Sequence, residues 1–277
     1  LNMLMLELLL RLRQTASHPK IVVDSLMKKF GKLNFETNFD LKSISTKIDA
    51  VVSEISKSKN LCLVFGHFRH EMKLMQHFLY KKHGILAELY DGSLSLEQRN
   101  DLVSKFKKDK QIKKLIVKRS NGKRKLLESS PRVLIIQIKA GGVGLNLQQF
   151  QDVFLLAPDW NPANEIQAIA RAHRLGQDGK VNVHKYTINC NHAFTNNEFS
   201  TIDERILEIQ MKKRDIMVNL LKDDTLEFNE KFIGNNPRLT RSDMRYMITG
   251  SSGRSSSGKR IVIRRSNIAN PNDAMPE

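Results

Sequence analysis

Cysteine is scarce in this sequence. The 277 residues include two cysteines, Cys62 and Cys190, which lack the close spacing of a zinc site. A disulfide scaffold needs a denser framework, so both are expected to be reduced thiols in an intracellular protein. The sequence thus excludes the small disulfide-rich secreted class and the cysteine-rich zinc modules.

Long apolar runs are also missing. The apolar start, residues 1–12, is interrupted by Glu7 and Arg11 and is too short to cross a bilayer or to act as a secretory signal. We expect a buried amphipathic helix there and no membrane partner. The chain starts at Leu1 rather than at a methionine, so a fragment of a longer protein is expected. Its 40% hydrophobic content suffices for one or two domains with a core.

Acidic residues are outnumbered, 29 against 46 Lys and Arg, for a formal net charge of +17. Residues 105–125 hold eleven Lys and Arg against one acid, and residues 231–277 hold nine against three. An insertion, residues 107–130, and a tail therefore carry most of the attraction for a polyanion such as DNA. Solvated charge that binds a protein partner or nothing is the alternative for the insertion, and disordered charge is the alternative for the tail.

Short apolar runs alternate with segments of helical periodicity through the middle of the chain. The predicted strands are 61–65, 87–90, 133–138, 153–157 and 181–187, and the predicted helices are 1–14, 43–57, 71–82, 95–106, 161–174 and 201–222. This alternation predicts an α/β domain whose parallel sheet is covered by helices on both faces. The Gly- and Ser-rich residues 250–260 predict a disordered end.

Residues 137–177 are the most informative stretch. A strand enters a glycine cluster, Gly141, Gly142 and Gly144, and a second strand leads through Asp-Trp-Asn-Pro (159–162) into the predicted helix 161–174. On that helix Gln167, Arg171 and Arg174 share one face, and two guanidiniums side by side suit an anionic phosphate chain. A solvated helix face is the alternative. A dinucleotide-binding turn is disfavoured, because Leu147 stands where its third glycine belongs.

The order and spacing of Lys-Ala-Gly-Gly-Val-Gly-Leu-Asn-Leu (139–147), the Asp-Trp-Asn-Pro loop and Gln-Ala-Ile-Ala-Arg-Ala-His-Arg-Leu-Gly-Gln (167–177) resemble the fifth and sixth motifs of one family. They are similar to the second motor lobe of the Swi/Snf family of DNA-dependent ATPases, in helicase superfamily two. Further similarities lie at residues 12–19, 63–68, 91–99 and 201–210. Gly66 and His67 depart from the Phe-Ser-Gln that is usual at the fourth motif.

The resemblance implies a RecA-like fold over roughly residues 8–221. The expected organisation is a helical leading segment (1–42), a helicase C-terminal lobe (43–222) and a basic, largely disordered tail (223–277). The lobe would contain the basic insertion 107–130 and the closing helix 201–222.

The resemblance also implies roles for particular residues. Arg171 and Arg174 would act as arginine fingers, while Gln167, Gly142 and Gly144 would contact ATP. DNA contacts would come from Trp160, Lys139, Asn146 and the turn Asp91-Gly92-Ser93. Two plainer alternatives stay open: Trp160 as a partly buried loop anchor, and Asp91-Gly92 as a simple tight turn.

ATP and Mg²⁺ are the implied cofactors, held mainly by a first lobe. The sequence has no Gly-x-x-x-x-Gly-Lys-Ser/Thr motif and no Asp-Glu pair after an apolar strand. The implied partners are double-stranded DNA and an N-terminal RecA-like lobe of the same protein, with the nucleus or a viral replication site as the location. The expected function is one half of an ATP-driven DNA translocase for chromatin remodelling, transcription or repair. The alternative is a non-enzymatic basic nucleic-acid-binding module.

Overall fold

The computed structural model describes residues 2–31, 42–108, 114–118, 124–128, 131–140, 145–177, 179–188, 200–221, 244 and 247–248. The α-helices in these ranges are α1 (Asn2–Ser17), α2 (Pro19–Phe30), α3 (Thr46–Lys57), α4 (Arg69–Phe78), α5 (Leu96–Lys108), α6 (Pro162–Ile169) and α7 (Ile202–Leu221), and a π-helix (Leu79–His83) follows α4. The strands are β1 (Cys62–Gly66), β2 (Ala87–Tyr90), β3 (Lys114–Lys118), β4 (Arg124–Glu128), β5 (Val133–Gln137), β6 (Asp152–Leu155) and β7 (Asn182–Lys185).

Five strands form one parallel sheet in the order β2-β5-β1-β6-β7. This confirms the predicted α/β class. A separate antiparallel pair, β3 with β4, lies within the basic insertion. The sequence analysis did not predict these two strands.

Both faces of the parallel sheet are covered by apolar side chains. One face packs Leu63, Phe65, Leu134 and Ile136 with residues of α5 and α6, and the opposite face packs the alternate strand residues with α3 and α4. Because a strand buried on both faces needs apolar side chains at every position, the central strands β1 and β5 are nearly continuous apolar runs rather than alternating ones.

The predicted helix starts are confirmed at two places. Ser95 and Gln98 each bond the other's backbone N–H, at 2.9 and 3.2 Å, ahead of α5. Thr201 and Glu204 do the same at 2.7 and 3.2 Å ahead of α7. Each pair satisfies two N–H groups that a helix start leaves without an intrahelical partner.

The first helix differs from its prediction. Helix α1 is present, but Met3 is 84% exposed and Leu4 is 60% exposed, whereas Leu9 is buried. The interpretation as a buried helix is therefore wrong for most of its apolar side chains. The reason is that α1 packs on α2 and α7 along a narrow stripe, while its apolar residues extend around both sides of that stripe.

Helix α7 is fixed to the lobe by an apolar cluster and an ion pair. Its Ile202, Ile206 and Ile209 pack with Leu9 of α1 and with Met244 and Met247. The buried Asp203 carboxylate lies 2.5 Å from the Lys47 ammonium of α3. Met244, Met247 and Ile248 belong to the predicted tail, which therefore packs on the lobe at these positions; the other residues of 222–277 lie outside the described residues.

Candidate nucleotide and nucleic-acid interface

Five of the eleven predicted site residues lie at the carboxyl edge of the parallel sheet. The chain leaves β2 into Asp91–Ser93, β5 into Lys139, β1 into His67 and β6 into Asp159–Trp160. Adjacent strand ends are tied together, since the Gln137 side chain donates to the His67 carbonyl at 3.3 Å. Ligands of open α/β sheets bind at this edge, because the loops there converge.

The turn after β2 is organised by Asp91. Its buried carboxylate accepts hydrogen bonds from the Ser93 N–H at 2.9 Å and the Ser93 hydroxyl at 2.5 Å, and it pairs with Arg69 at 2.7 Å. Burial raises the pKa of Asp91. The hydrogen bonds from Ser93 and the positive charges of Arg69 and Lys73 lower the pKa by more than burial raises it, so the net shift is downward. Asp91 therefore shapes the turn, and Gly92 and Ser93 form its exposed surface.

Two further predicted DNA-binding residues, Lys139 and Asn146, are exposed. They flank residues 141–144, which lie outside the described residues and include Gly142 and Gly144. The predicted nucleotide contacts of these glycines stay predictions.

The loop after β6 contains a buried carboxylate with an unusually low pKa. Asp159 is 2% exposed and lies 3.1 Å from His67 Nε2. Its other oxygen accepts from the Asn161 N–H at 3.0 Å and the Asn164 amide at 2.8 Å. Burial raises the pKa of Asp159, but the hydrogen bonds from His67, Asn161 and Asn164 and the charge of His67 outweigh it, and the pKa falls to about 2.

A second buried carboxylate ties this loop to two other elements. Glu165, in the first turn of α6, accepts from the Asp159 N–H at 2.9 Å, Lys185 at 2.8 Å and Gln210 at 2.8 Å. The Gln210 amide also donates to the Asp159 carbonyl. The sequence analysis missed Glu165 and Gln210. The position of Glu165 in the first turn of a helix could have indicated its role, because an acid is favoured there. No sequence feature indicated the role of Gln210.

Trp160 is partly buried against the apolar cluster between α1 and α7. The Arg13 guanidinium lies 4.6 Å from the centre of the indole ring, and it donates to the Pro158 carbonyl at 2.7 Å. These contacts are those of a loop anchor, and they leave part of the ring at the surface.

The two departures from the fourth motif have a structural reason. A Cβ on Gly66 would lie 2.9 Å from Met72 Cγ and 3.2 Å from a Glu71 oxygen, so a larger residue does not fit this close packing. Glu71 accepts from the His67 N–H at 2.9 Å and from the Ser17 hydroxyl at 2.5 Å. The carboxylate thus links the end of β1 to the end of α1. Sequence reasoning missed both Glu71 and the role of His67 as a partner of Asp159.

The predicted helix 161–174 is shorter than expected. Helix α6 ends at Ile169, so Gln167 is helical, whereas half-buried Arg171 and exposed Arg174 lie in the turn that follows. The prediction of three residues on one helical face is therefore wrong.

The turn that follows α6 is held by hydrogen bonds to its carbonyls. The Arg171 carbonyl accepts from the Leu147 N–H at 3.1 Å, and the Ala172 carbonyl accepts from the buried Gln177 amide at 3.0 Å. Gln148 donates to the Leu175 carbonyl, and Gly176 closes the turn at φ +90°. Residues 170–177, here called the arginine turn, are thereby bonded to the segment that follows the glycine cluster.

The described residues contain no group of three or more His, Cys, Asp or Glu suited to a metal ion. In the same part of the chain, no helix has the length and apolar character needed to cross a membrane.

Comparisons with known proteins show that this chain is similar to helicases. Residues 46–176 match the family model of the helicase conserved C-terminal domain. An uncharacterised ATP-dependent helicase of Schizosaccharomyces pombe is 33% identical over 75% of this chain and 17% of its own length. A DNA repair protein RAD5 of Cryptococcus neoformans is 33% identical over 66% of this chain and 13% of its own. The mouse helicase-like transcription factor is 31% identical over 65% of this chain and 16% of its own.

The Sulfolobus solfataricus SWI2/SNF2 ATPase core, solved in complex with double-stranded DNA, shares the fold with a TM-score of 0.51 and 22% identity. It is matched over 78% of this chain and 37% of its own. The chain spans less than a fifth of the length of the three curated relatives above. The chain is therefore similar to the helicase conserved C-terminal domain over residues 46–176 and to ATP-dependent helicases in sequence, and it shares its fold with a SWI2/SNF2 ATPase core.

Proposed function

We propose that this chain is the second motor lobe of an ATP-dependent translocase on double-stranded DNA. The observation that carries the proposal is the arginine turn after α6, residues 170–177, which begins just beyond α6 and leaves Arg174 exposed. Guanidinium groups are suited to stabilising charge on a transferring phosphoryl group. A module that only bound nucleic acid would not need a cross-tied turn of this kind.

The residues of the turn fit the chemistry of ATP. Arg171 and Arg174 offer positive charge to the phosphates, and Gln167 lies on α6, four residues before Arg171. ATP bound between two lobes would supply the energy-releasing bond. In this proposal Mg²⁺ and the β- and γ-phosphates are held mainly by acids and a phosphate loop of an N-terminal lobe, and the arginine turn acts across the interface.

Contacts to DNA are proposed for the other loops at the carboxyl edge. Exposed Lys139, Asn146, Gly92 and Ser93 and the open part of the Trp160 ring offer backbone and groove contacts without sequence readout. The basic insertion adds salt-sensitive attraction. The insertion and tail are also candidate protein-binding segments. The relatives named as DNA repair proteins and as a transcription factor favour a nuclear role in repair or transcription.

The proposal is tested by comparing the 277-residue chain with the complete two-lobe protein. The chain alone is expected to hydrolyse no ATP in the presence or absence of duplex DNA, whereas the complete protein is expected to show DNA-stimulated turnover. Steady-state phosphate release measures both. DNA-stimulated turnover by the isolated chain would contradict the two-lobe division. A complete protein that binds duplex DNA without hydrolysing ATP would favour the binding-module alternative.

A further inference from the structure

Arg13 is a buried cation that the proposed mechanism does not use. It is 7% exposed, on the α1 helix that begins the described chain. Its guanidinium donates to the Pro158 carbonyl at 2.7 Å and lies 4.6 Å from the Trp160 ring centre. Its Nε atom is buried and has no hydrogen-bond partner within the described ranges. The carbonyl and the ring that the guanidinium contacts both belong to one loop, residues 158–160.

Burying the Arg13 guanidinium costs free energy that a purely structural role would not require. A buried guanidinium loses its hydration, and a well-packed apolar side chain would often stabilise such a position equally well. Burial lowers the pKa of Arg13, while the charges of Asp159, Glu71, Asp203 and Glu165 act to raise it. What the arginine supplies, and an apolar residue would not, is one defined orientation for a carbonyl and an indole ring together.

The loop is otherwise fixed from the sheet side and from α7. His67 bonds the Asp159 carboxylate, and Gln210 bonds the Asp159 carbonyl. None of these contacts touches the Trp160 ring, whereas Arg13 does. The α1 end is also fastened to the sheet, since Ser17 donates to Glu71, which holds the His67 N–H.

We propose that Arg13 is a positioning residue that couples helix α1 to the DNA-contacting loop, by holding the Trp160 ring in its binding orientation. A shift of α1 relative to the sheet would release the ring. The position of α1 would therefore change the affinity of the chain for DNA. This inference rests on the proposed function, in which Trp160 contacts DNA.

Trp160 is the only tryptophan, so fluorescence of the full 277-residue chain reports on this ring alone. Arg13→Met is expected to shift the emission to longer wavelength and to increase quenching by acrylamide, because the ring is released to water. Affinity for a blunt duplex of random sequence is expected to fall by up to about tenfold, the range of a desolvated cation–π contact. Arg13→Lys, which keeps the charge but not the flat fork, is expected to lie between Arg13→Met and the parent chain.

Arg11→Met is the matched control. Arg11 lies on the same helix but bonds Glu7, Gln14 and Ser25 instead of the loop, so emission, quenching and DNA affinity are expected to stay unchanged. Circular dichroism of each variant checks the fold. If Arg13→Met does not fold, Arg13→Lys alone decides the question through quenching and affinity.

A double variant separates positioning from general weakening. Trp160→Ala is expected to lower DNA affinity, and adding Arg13→Met to it should lower affinity no further, because both act through one ring. Additive losses, or unchanged quenching in Arg13→Met, would overturn the coupling. Unchanged affinity in Trp160→Ala would instead overturn the DNA contact of the proposed function, and the quenching comparison would still decide whether Arg13 holds the ring.

Discussion

The two loops that flank α6 are built in different ways. The loop before it, residues 158–161, has its carboxylate, backbone and indole ring bonded to His67, Gln210 and Arg13, which come from three separate parts of the fold. The turn after it, residues 170–177, is held at its base through Leu147 and Gln177, and it leaves Arg174 and Leu175 exposed. The first loop is fixed by its own lobe, whereas the second leaves positive charge exposed at the surface.

This difference predicts that substitutions in the arginine turn lower catalysis, whereas substitutions in the loop before α6 lower stability. The largest expected effect is on kcat, in the arginine turn. In the complete two-lobe protein of the proposed function, Arg171→Ala or Arg174→Ala is expected to lower kcat by roughly 10³-fold or more, the effect of removing an arginine finger. The exposed Arg174 should contribute little to the free energy of unfolding. Phosphate release measures the first and thermal unfolding the second. Lys180→Ala, which removes another exposed charge nearby, is the control. Near-normal turnover in both arginine variants would refute the finger assignment.

The loop before α6 is expected to show its effect in stability as the pH changes. The pKa of Asp159 is lowered from 3.8 to about 2, so its stabilisation is complete above pH 4 and is lost as the pH falls through about 2. The shift corresponds to about 2 kcal/mol of unfolding free energy. Urea unfolding between pH 5 and pH 2 should show the stability advantage of the parent chain over Asp159→Asn shrinking by that amount.

Glu7→Gln is the control for that measurement. Hydrogen bonds from Lys29 and Arg11 also lower the pKa of Glu7, but this carboxylate lies at the surface, where solvent screens the interaction. An advantage over Asp159→Asn that did not change with pH would mean that the Asp159 hydrogen bonds do not favour the ionised carboxylate.

The parallel sheet and two helix starts could be predicted from the sequence. The parallel sheet followed from continuous apolar runs such as residues 133–137, because burial on both faces requires them. The helix starts at Ser95 and Thr201 followed from local side-chain chemistry. These features depend on residues close together in the chain or on a repeating pattern.

The unpredicted parts depend on partners far along the chain. Beyond Ile169 the chain forms a turn whose carbonyls bond Leu147 and Gln177, and helical periodicity does not reveal such contacts. The contacts of His67 with Asp159 and of Arg13 with Trp160 join residues more than 90 positions apart. The exposed sides of α1 were missed because apolar composition alone does not state how much surface a helix buries.

The smallest expected effect concerns the glycine that closes the arginine turn. Gly176 has a φ of +90°, in the region that residues with a side chain rarely adopt, and an added Cβ would lie 3.4 Å from the Gln148 amide. Gly176→Ala is expected to cost about 1 kcal/mol of unfolding free energy, chiefly from backbone strain. In the two-lobe protein kcat should also fall, though less than in Arg174→Ala, because the guanidinium is displaced rather than removed. Gly92→Ala is the control for stability, since a Cβ there meets nothing within 4 Å. Urea unfolding measures the free energy of unfolding, and phosphate release measures kcat. A fall in stability with unchanged kcat would mean that the arginines of this turn act without the fixed position that the base of the turn gives them.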